Sequence, residues 1–528
     1  MTPDSLTGPF GKPGTRAPTA EQAARFDHSA IVQRGVPEPA LMENAGRQAA
    51  LIVEHLFPKG RVVAVVGSGN NGGDALVCLR ALAAWGRSVA AIIVGKRPDP
   101  DPVLHDWDIP RSEFHRPGPG ATGDPARMLA GAEVVVDGLL GTGIRGAPRT
   151  KHAAMIRAVN EGRGAVVSLD TPSGVDGTTG RVPGVAVRAD ATVAFGWPKL
   201  GTLLYPGRER SGRIVAVEIG FPPGGTANWP RLITPGWASR VLPRRPAATH
   251  KNEVGALAIV AGSAMPGAAV LAARCAFRCG AGLVRVCASG PVGEVIAEVP
   301  EAVFVDAADD RALREAVKRS DAVAIGPGLG TGGGARRQLG IALGARELRP
   351  AVIDADALTL LADGSWGDSG ARGSGDGGIV VTPHPGEMAR LMACTVAEVQ
   401  NDRVANARRF AATRGAVTLL KGVPALVAEP GGGLMVSVQE NPSELAVAGM
   451  GDVLTGALGS FLAQGIDPFR AGGLALHVTG RAASHARLGA ALTPSDVVEA
   501  IPAVLAARGS GATDLPFPFV TFDQRRPG

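Results

Sequence analysis

Aromatic side chains make up only 4% of the 528 residues, charged ones 19%, and cysteine five positions. The net charge of +6 is carried by basic residues that are scattered and not interleaved with aromatics, which argues against a nucleic-acid surface and suits small anions such as nucleotides better. Cys78, Cys275, Cys279, Cys287 and Cys394 form an odd set without paired spacing. Cys275 and Cys279 lie one helical turn apart, but no histidine or second pair completes a zinc site. Small buried thiols in a reducing compartment are expected. The N-terminus "MTPDSLTGPFGKPGTR" lacks an apolar core for a secretory signal. The longest uncharged run, Val254 to Ala273, is broken by Gly255, Gly262, Ser263, Pro266 and Gly267, and reads as strand, glycine loop and helix, not as a membrane span. A soluble, cytoplasmic protein without membrane or nucleic-acid partners is expected. No fixed-period repeat is present.

Apolar material is ample, at 45%, and the length calls for more than one domain. From Arg61 onward, "RVVAVVG", "SVAAIIVG", "EVVVDGLLG", "AVVSLDTPSG" and "ATVAFG" read as strands, and "GRIVAVEIG" as a last one. "DALVCLRALAAWG", "PARMLAGA" and "KHAAMIRAVNEG" read as helices between them. That alternation predicts a doubly wound parallel sheet, a Rossmann-like α/β domain over 16–222. The proline- and glycine-rich "FPPGGTANWP" and the basic "RVLPRRPAATHK" predict a linker over 223–249, solvated or in touch with a phosphate. A second α/β domain, 250–510, restarts at "ALAIVAGS" and continues through "LVRVCAS", "AVAIGPGLG", "AVIDADALTLL", "IVVTPHPGE" and "VTLLKG". It then has a hairpin-like "ALVAEPGGGLMVSV" and three helical segments, and a polar tail fills 511–528.

In the first domain, "VVGSGNNGGDALV" joins a strand to a helix read as starting at Asp74. Its glycine spacing is neither the dinucleotide fingerprint nor a P-loop, yet unpaired N–H groups at a helix start cradle anions. Asn70 and Asn71 add side-chain donors and acceptors, and Asp74 reads equally well as a helix cap. Asp137 in "VVVDGLLGTGIRGA" and Asp170 and Ser173 in "VVSLDTPSGVDGTTG" also fall at strand ends, along the edge where open parallel sheets bind ligands. Oxygens of Asn71, Asp137 and Ser173 together suit a monovalent or other hard cation.

"LMENAG", "GNNGGDALV", "DGLLGTG", "LDTPSG", "FGWPKLG" and "VEIG", in this order over Arg16 to Phe221, resemble the epimerase domain of the bifunctional NAD(P)H-hydrate repair enzymes. The resemblance implies that Asn70, Asn71, Gly72, Gly73 and Asp74, with Gly141, Thr142, Gly143, Ile144, Arg145, Gly146 and Ala147, line the site for hydrated NADH or NADPH. It implies that Asn71, Asp137 and Ser173 bind K+ and that Asp170 touches the substrate. Inversion at C6, a carbon bearing oxygen and nitrogen, needs a proton carrier, and Asp170 is the candidate; binding without catalysis is the alternative. Ala75 stands where the family usually has glycine, a change of little expected consequence.

In the second domain, Gly449, Met450, Gly451 and Asp452 of "VAGMGDVLTGALGSF" sit ahead of a helix, where backbone donors stabilise a transferring phosphoryl group and Asp452 can accept a proton. A lone GxGD is weak, but Lys421, His384, Glu387, Asp354, Asp356, Gly326, Gly328 and Gly330 accompany it at other strand ends. Asp354 and Asp356 alternate, so one faces the site and Asp356 can cap the next helix. His477 and His485, two turns apart, read as core or surface histidines and not as a metal pair.

"HKNEVG", "AGSAMPGAAVLAARCAFRCGAGLV", "GPGLG", "DADAL", "TPHPGE", "LKG" and "GMGDVLTG", from His250 to about Arg508, resemble the ribokinase-like superfamily and, within it, the ADP-dependent NAD(P)H-hydrate dehydratases. The resemblance implies hydrate contacts from Ala268, Gly328, Gly330, His384 and Asp452. It implies adenine-nucleotide contacts from Lys421, Gly422, Val423, Pro424, Ala425 and Gly451, with Ala425 in place of the usual threonine. In the implied reaction Asp452 deprotonates the C6 hydroxyl, ADP phosphorylates it, and phosphate leaves under the push of the ring nitrogen. NAD(P)H, AMP and phosphate result. Mg2+ accompanies the nucleotide, with Glu387 an indirect ligand or a surface carboxylate. The fusion then clears both epimers, acting in metabolite repair; a homo-oligomer is expected. The alternatives left open are a small-molecule hydroxyl kinase and a first domain that only binds a ligand or partner.

Overall fold

The computed structural model describes residues 16–114, 127, 129–143, 146–245, 247–250, 253–262, 265–290, 297–365, 378–438, 442–507 and 519–521. Contacts divide the chain after Pro230 into two compact units, the C-terminal strand joining the first.

In the first unit the strands are β1 (Val62–Val66), β2 (Val89–Ile93), β3 (Arg111–Glu113), β4 (Val134–Gly138), β5 (Ala165–Leu169), β6 (Ala191–Phe195) and β7 (Arg213–Val217). Among the described residues they lie in the order β3-β2-β1-β4-β5-β6-β7, all parallel. The order reverses between β1 and β4, so the chain leaves a crevice at their carboxyl ends, the position where such sheets bind ligands. Alternation along β1 sends Val62, Ala64 and Val66 into one core, with the helices Glu38–Leu56 and Asn70–Ala84. Val63 and Val65 enter the other, with the helix Thr150–Glu161. The sheet is thus covered on both faces, which is why its strands are apolar throughout.

The second unit contains β8 (Arg231–Ile233), β9 (Ala256–Val260), β10 (Leu283–Ala288), β11 (Val303–Asp306), β12 (Ala322–Ile325), β13 (Ala351–Ile353), β14 (Ile379–Val381), β15 (Val417–Leu420), β16 (Leu426–Ala428) and β17 (Leu434–Ser437). Their order is β11-β10-β9-β12-β13-β14-β15-β16-β17-β8. Pairing is parallel up to β15, antiparallel through the expected hairpin β16–β17, and parallel again at β8. The helices Pro266–Arg278, Met450–Ala463, Pro468–Ala486 and Pro494–Ala507 pack in its main core. Among the described residues, no helix is long and apolar enough to cross a membrane.

Several sequence readings shift. The stretch read as a linker contributes β8 and the helix Pro235–Val241, whose Trp237 is buried in the second core. In the tail, β18 (Phe519–Thr521) pairs in parallel with β7 and covers an edge that would otherwise offer unpaired backbone groups. The edge strands β3 and β11 were not legible, being short and carrying exposed residues. The helix read in "PARMLAGA" falls partly outside the described residues, and Leu129–Gly131 form a turn. The helix after β1 begins at Asn70 and not at Asp74; its N-cap is Gly69, with no side-chain cap. Asp74 therefore sits within the second turn and caps nothing. Likewise Gly449 is the N-cap of the helix Met450–Ala463, so Asp452 belongs to its first turn. Cys78, Cys275, Cys279 and Cys287 are buried free thiols, and Cys394 is partly exposed.

Candidate active sites

A cavity of about 810 Å³ opens at the carboxyl edge of the first sheet, within the size range of small-molecule sites. Asn70, Asn71, Gly72, Asp74, Gly141, Thr142, Gly143, Ala147 and Asp170 all line it. Gly73 is buried in the same helix turn, its Cα hydrogens against Met42. Gly146 is exposed in the following loop, and Ile144 and Arg145 lie outside the described residues.

Close backbone approach builds this edge. A Cβ on Gly138, at the end of β4, would stand 2.5 Å from the Ala75 Cβ and 2.7 Å from the Asn71 carbonyl oxygen. The Ala75 methyl thus lies directly against β4 and is fully buried, deeper than a first-turn position would place it. Gly138→Ala is expected to lower unfolding stability by about 1–3 kcal/mol, by overpacking against a carbonyl that cannot rotate away. Denaturant unfolding measures this.

Behind the cavity wall, Asp137 is almost fully buried. Its carboxylate accepts from Ser168 Oγ at 2.8 Å, from Ser173 N at 2.9 Å, from Ser173 Oγ at 2.6 Å and from Leu139 N at 3.3 Å. Burial pushes its carboxyl upward and these bonds pull it back, with a net rise. Asn71 Nδ2 donates to the Leu140 carbonyl at 3.0 Å, while Asn71 Oδ1 is buried without a partner among the described residues. An orphaned amide oxygen near a buried carboxylate and a serine hydroxyl is a donor set of the kind a hard cation satisfies.

Asp170 carries a left-handed backbone, φ +61°, an unusual conformation for a non-glycine residue and one that often marks a functional site. Its Oδ1 accepts from Phe195 N at 3.1 Å and from the Lys199 ammonium. Lys199 is only 4% exposed and also donates to the carbonyls of Phe195 at 3.1 Å and Trp197 at 3.2 Å. Lys199 had no role in the sequence reading, although it lies in "FGWPKLG" just past an apolar strand. Asp27, Trp197 and Phe221 were missed too and line the same cavity. Trp197 and Phe221 stack at 5.5 Å with Phe26 edge-on to both, a flat apolar wall in a chain poor in aromatics.

In the second unit the loops after β9 and β12 touch. A Cβ on Gly262 would fall 1.8 Å from the Gly328 carbonyl oxygen, and one on Gly328 would stand 3.5 Å from the Ala268 Cβ. Ala268 and Gly328 are thereby brought together, and Gly330 is held by Asp356, whose Oδ2 accepts from Gly330 N at 2.8 Å. Asp356 thus ties down the neighbouring loop instead of capping its own helix.

Asp354 is the buried member of that pair. Its Oδ1 accepts from Lys421 Nζ at 2.7 Å and its Oδ2 from Thr455 Oγ1 at 2.7 Å. Lys421 Nζ is also 3.7 Å from Glu387 Oε2. A Cβ on Gly451 would be 3.6 Å from Lys421 Nζ and 3.7 Å from Asp354 Oδ2, so the pair sits directly beneath the start of the helix Met450–Ala463. Burial pulls the Lys421 ammonium down, but Asp354, Glu387 and Asp452 outweigh it and hold it protonated. Burial, then Asp354, raise the Asp452 carboxyl to about 6, against the lowering pull of Lys421.

His384 and Glu387 form a capping box at the helix Pro385–Met392. His384 Nδ1 accepts from Gly386 N at 3.0 Å, and Glu387 Oε2 accepts from His384 N at 2.7 Å. Glu387 is only 8% exposed, so it is no surface carboxylate. Arg403, also missed by sequence reasoning, donates to the carbonyls of Lys421 and Pro424, each at 3.0 Å, and shapes the 421–425 loop; burial lowers its guanidinium to about 10. Gly422 and Val423 face outward. Ala425 is buried, with its carbonyl accepting from Ser437 N at 2.9 Å, and its methyl offers no hydrogen bond, so only backbone groups remain for a ligand. Burial and Arg481 lower His477 to about 4, and His485 is exposed; among the described residues no group of three metal-binding side chains gathers.

The family model described as YjeF-related protein N-terminus matches residues 38–201, and that described as NAD(P)H-hydrate dehydratase matches 257–503. The chain is 35% identical to the bifunctional NAD(P)H-hydrate repair enzyme of Moorella thermoacetica, over 92% of this chain and 96% of that protein. It is 34% identical to the bifunctional NAD(P)H-hydrate repair enzyme of Leishmania infantum, over 83% of each. Among solved structures it is similar to an ADP/ATP-dependent NAD(P)H-hydrate dehydratase from Bacillus subtilis, 29% identical, over 53% of this chain and 99% of that one, with a TM-score of 0.46.

Proposed function

The chain belongs to the bifunctional NAD(P)H-hydrate repair enzymes, and from that membership we propose that its two units divide the family's task. The first interconverts the R and S epimers of hydrated NADH and NADPH. The second dehydrates the S epimer with ADP, yielding NAD(P)H, AMP and phosphate. The observation that carries the second activity is the juxtaposition of Asp452 with the Lys421–Asp354 pair under a helix start. Asp452, with a carboxyl near 6, is ionised at neutral pH yet basic enough to take the C6 hydroxyl proton. The Met450 and Asp452 N–H groups donate to the Val447 and Gly449 carbonyls, so the helix start and the Lys421 ammonium meet the phosphoryl group with positive charge chiefly through the Gly449 and Gly451 N–H groups and the ammonium itself. Ala268, Gly328, Gly330 and His384 border the hydrate, and Gly422, Val423, Pro424, the Ala425 N–H and Gly451 border the nucleotide.

Magnesium neutralises phosphoryl charge in such transfers. The residues fit a loosely held ion: Glu387 is buried and bonded to its own helix, and it would serve as an indirect ligand of an ion carried by the nucleotide. K+ belongs to the first unit, with Asn71 Oδ1, Asp137 and Ser173 as its oxygens, and the unpartnered Asn71 oxygen supports that choice. With a cation held there, the Asn71 side chain and the adjoining cavity wall would be fixed in place. Epimerisation is accordingly expected to be faster in K+ than in Li+. Asn71→Ala is expected to weaken apparent K+ affinity about tenfold or more, read from a K+ titration of the rate.

Incubating the protein with mixed epimers and ADP or ATP tests the whole reading through the return of reduced-nicotinamide absorbance. Complete ADP-driven recovery is expected. Recovery of only one epimer removes the activity proposed for the first unit, and a stable phosphorylated product favours a hydroxyl kinase.

A further inference from the structure

The first cavity holds more acid groups than one proton carrier needs. Asp74 and Asp27 line it with Asp170 and Lys199. Asp74 is 8% exposed, caps no helix, and among the described residues no donor is bonded to its carboxyl. A buried carboxyl without donors is stable in its neutral form, which can itself donate. Asp170, by contrast, is bonded to an ammonium and a backbone N–H. Two carboxyl groups in one cavity, one without donors and one held by two, are arranged to divide the roles of acid and base.

The substrate carbon to be inverted bears a hydroxyl and the ring nitrogen. Such a carbon opens when its hydroxyl loses a proton and its nitrogen gains one. Resting on the epimerase reading above, we propose that Asp74 is a second catalytic residue, donating a proton to ring N1 while Asp170, paired with Lys199, takes the C6 hydroxyl proton, so that inversion passes through a ring-opened aldehyde. The C6–N1 bond breaks and its electron pair goes to N1, which binds the Asp74 proton. The oxygen's electron pair forms the C6=O bond as its proton moves to Asp170. Rotation about C4–C5 and C5–C6 turns the other face of C6 to N1 while the carbonyl oxygen stays bonded to Asp170. Closure returns one proton to Asp74 and the other to the new hydroxyl. Atoms and charge balance without a further reactant.

The charges facing Asp74 agree with this assignment. Burial, then Asp170, then Asp27 push its carboxyl well up, and Lys199 and Arg97 only partly oppose them. Cys78 on the same helix is neutral, its thiol pushed up by burial and then by Asp74. Glu38 and His152 border the cavity on other elements.

The test uses the full chain with one pure epimer, K+ and no nucleotide, so that the second unit is silent. A wild-type rate no faster than the uncatalysed one would remove the epimerase reading itself. With catalysis present, borohydride added during turnover is expected to trap a ring-opened alcohol, and the inverted product formed in 18O-enriched water is expected to keep its original oxygen. Solvent oxygen at C6 with no trapped alcohol overturns the ring-opening route while leaving the epimerase reading intact. Asp74→Asn is expected to lower kcat about 10²-fold with KM little changed. Asp74→Ala is expected to be partly restored by formic acid, a small proton donor able to enter the vacated space. Wild-type kcat in Asp74→Asn, or an equal kcat loss in Asp74→Ala with and without formic acid, overturns the role given to Asp74.

Discussion

Asp452→Asn is expected to slow ADP-dependent recovery of NAD(P)H by about 10³-fold or more, and to make the protein more stable at the same time. The first effect follows from chemistry: an amide cannot accept the hydroxyl proton, and hydroxide is too poor a leaving group for the reaction to proceed without phosphorylation. The second follows from linkage. The carboxyl stands at about 6 in the fold against 3.8 as the ordinary value. Below the ordinary value both folded and unfolded chains are protonated and the group is neutral in effect. Between about pH 4 and 6 the unfolded chain releases its proton while the folded one keeps it, so stability falls, and above about 6 the loss is complete. The full shift is worth on the order of 3 kcal/mol. Asparagine avoids it, so the variant's advantage, about 5 °C in Tm, is expected at pH 7.5 and absent near pH 4. The wild-type rate is expected to drop tenfold per pH unit below about 6 as Asp452 protonates. A variant that keeps parental activity, or loses both activity and stability, contradicts the assignment of Asp452 as a base held at a cost to the fold.

How much of this was legible in the sequence depends on what kind of signal each residue gives. Strands buried on both faces, such as β1 and β9, announce themselves as unbroken apolar runs, and the glycine turns that follow place the site edge. The loops carrying Asn71, Asp170 and Asp452 were therefore found. Helix starts were not: Asn70 reads as a loop residue by propensity, and only the tertiary fold reveals the extra turn that withdraws Asp74 from capping. Lys199, Arg403 and Thr455 act through partners distant in sequence, across 29 residues for Lys199–Asp170 and 101 for Thr455–Asp354, and a lone polar residue carries no mark of its partner. Short edge strands fail for a related reason. Arg111–Glu113 and Phe519–Thr521 owe their conformation to pairing with a neighbour more than to their own pattern.

The Lys421–Asp354 pair is expected to give the largest stability coupling. Burial by itself would raise the Asp354 carboxyl, but Lys421, Thr455 and Thr382 reverse this, so it is held below its ordinary value. Its contribution is present above pH 3.8 and is lost as pH falls through the lower folded value; that of Lys421, raised above 10.5, is present below 10.5 and lost as pH rises through the folded value. Between those limits Lys421→Met leaves a buried anion with two hydroxyl donors only, at about 3–5 kcal/mol. Asp354→Asn leaves Lys421 with Glu387 at 3.7 Å and the charge of Asp452, a milder loss. The double variant is expected to be more stable than the sum of the two singles by about 3 kcal/mol, since it buries no unpaired charge. Kinetics separate this electrostatic role from simple packing. Lys421 lowers the Asp452 carboxyl and Asp354 raises it. The acid limb of the rate profile is therefore expected to move to higher pH in Lys421→Met and to lower pH in Asp354→Asn. Packing damage would slow both variants without moving the limb in opposite directions, and limbs that shift together, or a cycle that sums additively, would show that the pair neither supports the fold nor tunes the base.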